Sequence, residues 1–280
     1  MGMRPASSTS SVVIRTAEAP WSLRIRELWH YREVLYVFAW RDVKVRYKQT
    51  ALGVAWVVLQ PLAIALILTL FLGRLVQAVS TSLPYLLFAF SGMVVWQLFA
   101  NILTESSNSV TANGRLVGKV YFPRIAVPLS VVLSSLPDFL ISFCVLLGML
   151  AYFHVVPHLT LFLTPVFVIL DVSIALGAGL WLAALNVRYR DVRYTLSLLV
   201  QVWFFATPVA YPVSVVPARW HSWYLLNPLV GVVEGFRWTL APAGRLPLAP
   251  LISSSCIAAL LLVTGSLYFA HTEDTFADFI

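Results

Sequence analysis

The chain from Gly114 to Pro128 reads GRLVGKVYFPRIAVP, a short basic and aromatic island between two long apolar runs. The run before it, Tyr85 to Thr104, carries no charged residue. The run after it, Ile125 to Phe153, carries only Asp138. Arg115, Lys119 and Arg124 therefore stand where one membrane segment ends and the next begins. Lys and Arg at such a junction mark the cytoplasmic side, because positive loops are retained there during insertion.

Composition agrees with a bilayer. Of 280 residues, 60% are hydrophobic and only 11% charged, where a soluble domain has about a quarter of its residues charged. Mean hydropathy is +0.84. The net charge of +7 is a topology signal, since the basic residues cluster at the ends of apolar spans; it does not mark a nucleic-acid partner. Cys144 and Cys256 lie inside apolar runs and are expected as buried free thiols. Residues 1–20, rich in Ser, Thr and Ala, have no apolar core for a signal peptide and are expected as a disordered cytoplasmic tail.

Working outward, residues 21–50 place Arg26, His30, Glu33, Arg41, Lys44 and Lys48 in one polar stripe at helical spacing. Leu28, Tyr31, Leu35, Phe38 and Val45 lie opposite. The pattern predicts an amphipathic interface helix, with packing on a soluble partner as the alternative. Spans are expected at 51–72, kinked at Pro61, and at 85–104, 125–153 and 160–187, each near the roughly 20 residues that cross the hydrocarbon. A fifth begins at Tyr194 and a last covers 248–270. Between them Pro208, Pro212, Pro217 and Pro228 break an apolar, Trp- and Tyr-rich stretch. Irregular backbone at membrane depth is tolerated only where protein or a water-filled cavity surrounds it. Two short re-entrant helices are expected over 208–240, against the plainer alternative of an outer loop with interfacial aromatics.

The expected fold is thus an all-α integral membrane protein of six transmembrane helices over 51–270, with an N-terminal interface helix, re-entrant helices before the last span and a short acidic tail at 271–280. Of the 19 Lys and Arg, all but Arg74, Arg219, Arg237 and Arg245 fall on one side, which predicts both termini inside.

Chemistry is sparse. GRLVGK at Gly114–Lys119 is one spacer short of a phosphate loop and is followed by Val120. No catalytic or metal set is recognisable, and Pro157 argues against a helical pair of His154 and His158. Two acids sit inside spans. Asp138 lies fourteen residues beyond Arg124 and Asp171 fifteen before Asn186. At about 1.5 Å rise per residue both fall about 21–22 Å from the cytoplasmic ends. Such acids are functional candidates or hydrogen-bonded helix fasteners, and no cation or His inside a span pairs with them.

Six strings then carry a resemblance: RDVKVRYKQTALGVAWVVLQPL (Arg41 to Leu62), KVYFPRIAVPLS (Lys119 to Ser130), NVRYRDVRY (Asn186 to Tyr194), TPVAYP (Thr207 to Pro212), NPL (Asn227 to Leu229) and TFAD (Thr275 to Asp278). In these the chain resembles the ABC-2 type permeases of O-antigen, capsule and teichoic acid export. The resemblance implies a homodimer with two separate nucleotide-binding subunits, which bind ATP and Mg, so that this chain holds no cofactor. It implies an inner-membrane location, a lipid-linked polysaccharide substrate and contacts with membrane lipids. A coupling helix at about 112–123 would dock on the ATPase, with Arg115, Lys119, Tyr121, Phe122, Pro123 and Arg124 at or beside the contact. Asn186, Arg188, Tyr189, Arg190 and Asp191 form a second cytoplasmic turn. Pro208, Tyr211, Pro212, Trp223, Asn227 and Pro228 would belong to an outer gate, and Trp56, Trp96, Phe99 and Trp203 are channel-lining candidates. Two other classes compete. A secondary transporter would use Asp138 and Asp171 but shows no internal repeat. A membrane enzyme acting on lipid-linked sugars would have only Arg219, His221, Glu234 and Arg237 to work with.

Overall fold

The computed structural model describes residues 29–48, 53–77, 83–117, 122–156, 158–189, 191–241 and 246–276. These form helices and turns, with no strand among the described residues. Helix α1 is Arg32–Lys48, α2 Val54–Gln77 and α3 Tyr85–Ala112. A four-residue α4, Gly114–Val117, precedes α5, Ala126–Tyr152. A 3-10 turn at Leu159–Leu163 leads into α6, Thr164–Arg188. Then come α7, Val192–Ala206; α8, His221–Tyr224; α9, Pro228–Leu240; and α10, Leu248–Thr272.

Five of these, α2, α3, α5, α6 with its leading turn, and α10, are long and apolar enough to cross a membrane. The expected fifth span, α7, has 15 residues. At about 1.5 Å per residue it reaches only about 22 Å, short of a ~30 Å hydrocarbon layer. Pro208 is the reason: it has no N–H to extend the ladder and disfavours helix in the residue before it.

Helix α3 is the hub, packed by α2, α5, α6 and α9. Its first half is buried on nearly every side, including Phe88, Phe90, Met93 and Val94. By contrast α2 and α10 turn most of their apolar surface outward, as at Leu66, Leu70, Leu260 and Val263. Lipid tails are as apolar as leucine, so helices there associate through close fit more than through burial. The backbones fit closely where α6 crosses α10. A Cβ on Gly265 would lie 2.3 Å from the Gly177 carbonyl oxygen. Only hydrogen fits at that crossing.

Three local findings bear on these expectations. Cys144 and Cys256 are exposed, not buried; each sits on an outward face of α5 or α10, where a small apolar thiol suits lipid as well as core. The helix of the second span runs past Thr104 to Ala112. Its polar extension stays helical because Ser109, Thr111 and Asn108 return their side chains to carbonyls three or four residues back. Finally α1 packs on α5. Phe38 meets Phe122 at 5.6 Å between ring centroids, and Tyr31, Val34 and Leu35 join the same cluster. Val45, expected on the apolar side, is exposed.

Candidate functional site

Helix α7 stops beside the middle of α3. Trp203 stands edge-on to Phe99 at 5.1 Å, and Phe204 to Trp96 at 5.4 Å. The segment that follows, 207–211, runs without helix toward the first turn of α3, where the Tyr85 hydroxyl donates to the Ala210 carbonyl at 2.7 Å. A helix that ends here leaves its last carbonyls without helical partners. Each of the six in a row finds one. Tyr211 Oη donates to Phe205 O at 2.8 Å and Asn227 Nδ2 to Ala206 O at 3.0 Å. The Val209 N–H donates to Thr207 O at 2.7 Å. Arg237 Nη1 donates to Pro208 O at 2.5 Å and Nη2 to Val209 O at 2.6 Å. Tyr85 closes the run.

Arg237 is the centre of this clasp. It sits on α9 and is only 6% exposed. Its Nη2 also reaches Phe88 O at 3.1 Å, and the guanidinium carbon lies 3.5 Å from the Phe88 ring centroid. Glu234, one turn earlier, approaches Nη1 at 3.4 Å. A planar fork of five donors suits several carbonyls converging from two elements, which a lysine would not reproduce. Gly92 makes the space: a Cβ there would stand 2.5 Å from Arg237 Nη2 and 3.0 Å from Val209 O.

Asn227 staples the end of α7 to the start of α9. Its Oδ1 caps α9 by accepting from Leu229 N at 3.1 Å, and accepts from Trp203 Nε1 at 3.0 Å. Its Nδ2 also donates to Thr207 Oγ1 at 3.1 Å. Farther out, Tyr224 Oη donates to Tyr211 Oη at 3.2 Å. Burial, and then that hydrogen bond, hold the Tyr224 phenol above its usual range. Trp223 is exposed and makes no part of the clasp, while Pro208 and Pro228 are buried and Pro212 half-buried.

The two span acids sit at one level, since Phe139, next to Asp138, and Asp171 line the same small gap. Their surroundings are opposite. Asp138 accepts from Arg46 Nη1 and Tyr47 Oη of α1. The cation absent from the spans is therefore supplied by α1. Burial, followed by the Asp138 hydrogen bond and charge, pushes the Tyr47 phenol up. Asp171, 1% exposed, has no hydrogen bond at either oxygen among the described residues. It lies against Val95, Leu98, Phe167, Val168 and Phe236.

On the opposite end of the molecule, Arg115, Arg188, Tyr189 and Asp191 are exposed, with Arg188 over the Tyr189 ring at 5.5 Å. Pro123 and Arg124 are half-buried, and Arg124 Nη1 has no partner among the described residues. Phe122 is buried against Phe38 and faces the chain's own interior. Asn186 is buried too, donating to Ser107 O at 3.0 Å and Asn108 Oδ1 at 3.1 Å. Lys119, Tyr121 and Arg190 lie outside the described residues, as do residues 1–28 and 277–280. Of the four aromatics proposed for a channel, Trp96 and Phe99 are buried in the chain's own core, Trp203 is half-buried and Trp56 exposed.

Arg237, counted above among outer-side cations, is buried in the protein and is the centre of the clasp, a role sequence reading did not give it. The signal was present: an Arg three residues after Glu234, inside an otherwise apolar 13-residue helix, is costly unless it serves a purpose.

A family model described as ABC-2 type transporter matches residues 33–241. The chain is 31% identical over 260 residues to the O-antigen export system permease protein RfbA of Myxococcus xanthus, covering 91% of this chain and 98% of that one. It is 32% identical over 207 residues to the RfbA protein of Klebsiella pneumoniae, covering 73% and 79%. To the polysialic acid transport protein KpsM of Escherichia coli it is 26% identical over 208 residues, covering 72% and 79%.

Proposed function

The chain belongs to the ABC-2 type transporter family, and on that premise we propose that it is the permease subunit of an ABC transporter exporting polysaccharide across the inner membrane. The observation that carries this reading is the likeness, over nearly the whole chain, to an O-antigen export permease. The finer reading follows the residues. Two copies assemble around a two-fold axis, as closed symmetry favours. The outward apolar face of α2 and nearly all of α7, where Leu196 is the only buried residue, are the surfaces such a dimer would cover. Both termini face the cytoplasm. Two nucleotide-binding subunits dock on the exposed cations and aromatics Arg115, Arg188 and Tyr189, and those subunits bind ATP and Mg and do the hydrolysis. The substrate is a lipid-linked glycan.

In this reading α7, the non-helical segment 207–211 and α9 together form one broken span with a re-entrant return, the outer gate. Chain backbone at membrane depth needs every carbonyl met, and the side chains of Tyr85, Tyr211, Asn227 and Arg237 do so here. α1 transmits motion, since it is tied to α5 at Asp138 and to the segment just before it at Phe122.

The test is reconstitution with an ATP-binding-cassette subunit in vesicles loaded with lipid-linked glycan. ATP-dependent glycan translocation is the expected result. Arg188→Glu should insert normally yet separate ATP hydrolysis from export. Translocation that persists without the ATPase subunit, driven by a proton gradient, would overturn the reading in favour of a secondary transporter.

A further inference from the structure

The burial pattern of α3 changes halfway along the helix. From Leu87 to Trp96 every residue is buried. From Gln97 on, one stripe is open: Gln97, Ala100, Asn101, Thr104, Glu105 and Asn108 are half-buried or exposed, while Leu98, Phe99, Ile102, Leu103, Ser106 and Ser107 are buried. The open positions recur three and four apart, so they form one face. Five of the six are polar. Continued outward, the same face passes through Phe90, Met93 and Val94, all buried. The stripe therefore ends blind just below the clasp.

Lipid is a poor neighbour for this face. Gln97 lies twelve residues into α3 from Tyr85 and Asn101 sixteen, or about 18 and 24 Å along the axis. Both fall within a ~30 Å hydrocarbon layer. Neither side chain makes a hydrogen bond to the described residues, whereas Asn108, nearer the end, is bonded to Thr104 O and Asn186. A free amide facing lipid costs several kcal/mol. Two of them, one turn apart on the otherwise best-packed helix, imply water or a polar cargo. An amide both donates and accepts, as sugar hydroxyls do. Helix α7 adds Ser197 and Gln201, also exposed and four residues apart.

We infer that the inner half of α3, at Gln97, Asn101 and Glu105, is a hydrated track that binds the polyhydroxylated chain on its way from the cytoplasm to the closed outer gate. This rests on the permease reading above, and it assigns the polar face of α3, rather than Trp96 and Phe99, as the glycan's contact on this helix.

The test uses the full complex with its ATPase subunit in inside-out vesicles. Cys144→Ala and Cys256→Ala first remove the native thiols. Gln97→Cys, Asn101→Cys and Glu105→Cys are then compared with Leu140→Cys, on the exposed apolar face of α5. The probe is a membrane-impermeant methanethiosulfonate. Thiolate is the reactive species and forms only in water, so the stripe positions should react about tenfold or more faster than Leu140→Cys. Vesicles from cells that make the glycan should show that rate reduced several-fold against vesicles from cells that do not. Rates equal to Leu140→Cys would overturn the track. Fast labelling without protection by glycan, in a complex that still exports, would show a wet face that the glycan does not touch, and would overturn it equally. If the unmodified complex exports nothing, the permease reading fails first. Should a cysteine variant fail to insert, Asn101→Ser and Asn101→Leu give the same decision through export: the polar replacement should retain it and the apolar one lose most of it.

Discussion

Replacing Arg237 with methionine keeps an unbranched stem, about two atoms shorter, and removes every donor that Arg237 gives the clasp. Two carbonyls, Pro208 O and Val209 O, then lose the bonds that Arg237 gives them. Phe88 O is less affected, because Ser91 Oγ still donates to it at 2.8 Å. Hydrogen bonds between membrane helices average only about 0.6 kcal/mol by double-mutant cycles. A buried carbonyl left bare is a different case and costs about 1–3 kcal/mol. A desolvated cation over a ring adds about 2 kcal/mol. Removing the charge also relieves the desolvation of the guanidinium itself, so the net loss expected is on the order of 2–5 kcal/mol. The loss is local, at the joint of α7 and α9. The assay is therefore double: thermal unfolding in detergent, and leakage of a small solute from vesicles holding the resting complex. A lowered melting midpoint together with a leak is expected. Arg237→Lys should fall between, since one ammonium cannot serve carbonyls from two elements as a fork does. A variant Arg237→Met that melts like the parent and seals as tightly would refute the clasp.

The remaining predictions use the same geometry. Gly92→Ala should move Arg237 and reproduce part of that leak without changing any charge, read in the same flux assay. Asn227→Leu removes a cap and a staple and should cost about 1–2 kcal/mol of thermal stability. Asp138→Leu should lower stability, moderated because Arg46 is partly exposed and can rehydrate. Asp138→Asn should lose less and retain export. Asp171→Leu should keep or raise the melting midpoint, since no described residue bonds its carboxyl; a folded Asp171→Leu that exports nothing would mark that acid as functional.

How far the sequence carried the fold depends on the kind of signal each element leaves. The long apolar runs announced α2, α3, α5, α6 and α10, because length and charge exclusion are written residue by residue. The prolines announced the break after Ala206 for the same reason. What α1 packs against was not legible. Its amphipathic stripe says only that one side avoids water, and both lipid interface and α5 satisfy that. Only the meeting of Phe38 with Phe122 and of Arg46 with Asp138, far apart in sequence, decides it. The thiols misled for a related reason: in a span, apolar surroundings do not separate core from lipid.

The candidate site was legible in its backbone and not in its side chains. TPVAYP and NPL were singled out by the resemblance and their prolines as breaks, and the structure brings the two together through Asn227. Arg237 was counted as a topology charge because charge bias treats every Arg as solvated. The correct question was one of satisfaction. A helix that ends at membrane depth leaves a run of carbonyls, and some residue must supply donors. Tyr85 offers one hydroxyl, Tyr211 another and Asn227 one amide, and the Val209 N–H serves Thr207 O; two adjacent carbonyls remain, and a guanidinium can meet both at once. The same accounting distinguishes Gln97 and Asn101 from Ser106 and Ser109 nearby. Ser106 and Ser109 return their hydroxyls to backbone carbonyls, so nothing further is required of them. The two amides have no such partner, and the helix that carries them is otherwise the best packed in the molecule. Their free hydrogen-bonding capacity calls for a polar neighbour, water or cargo, along that face.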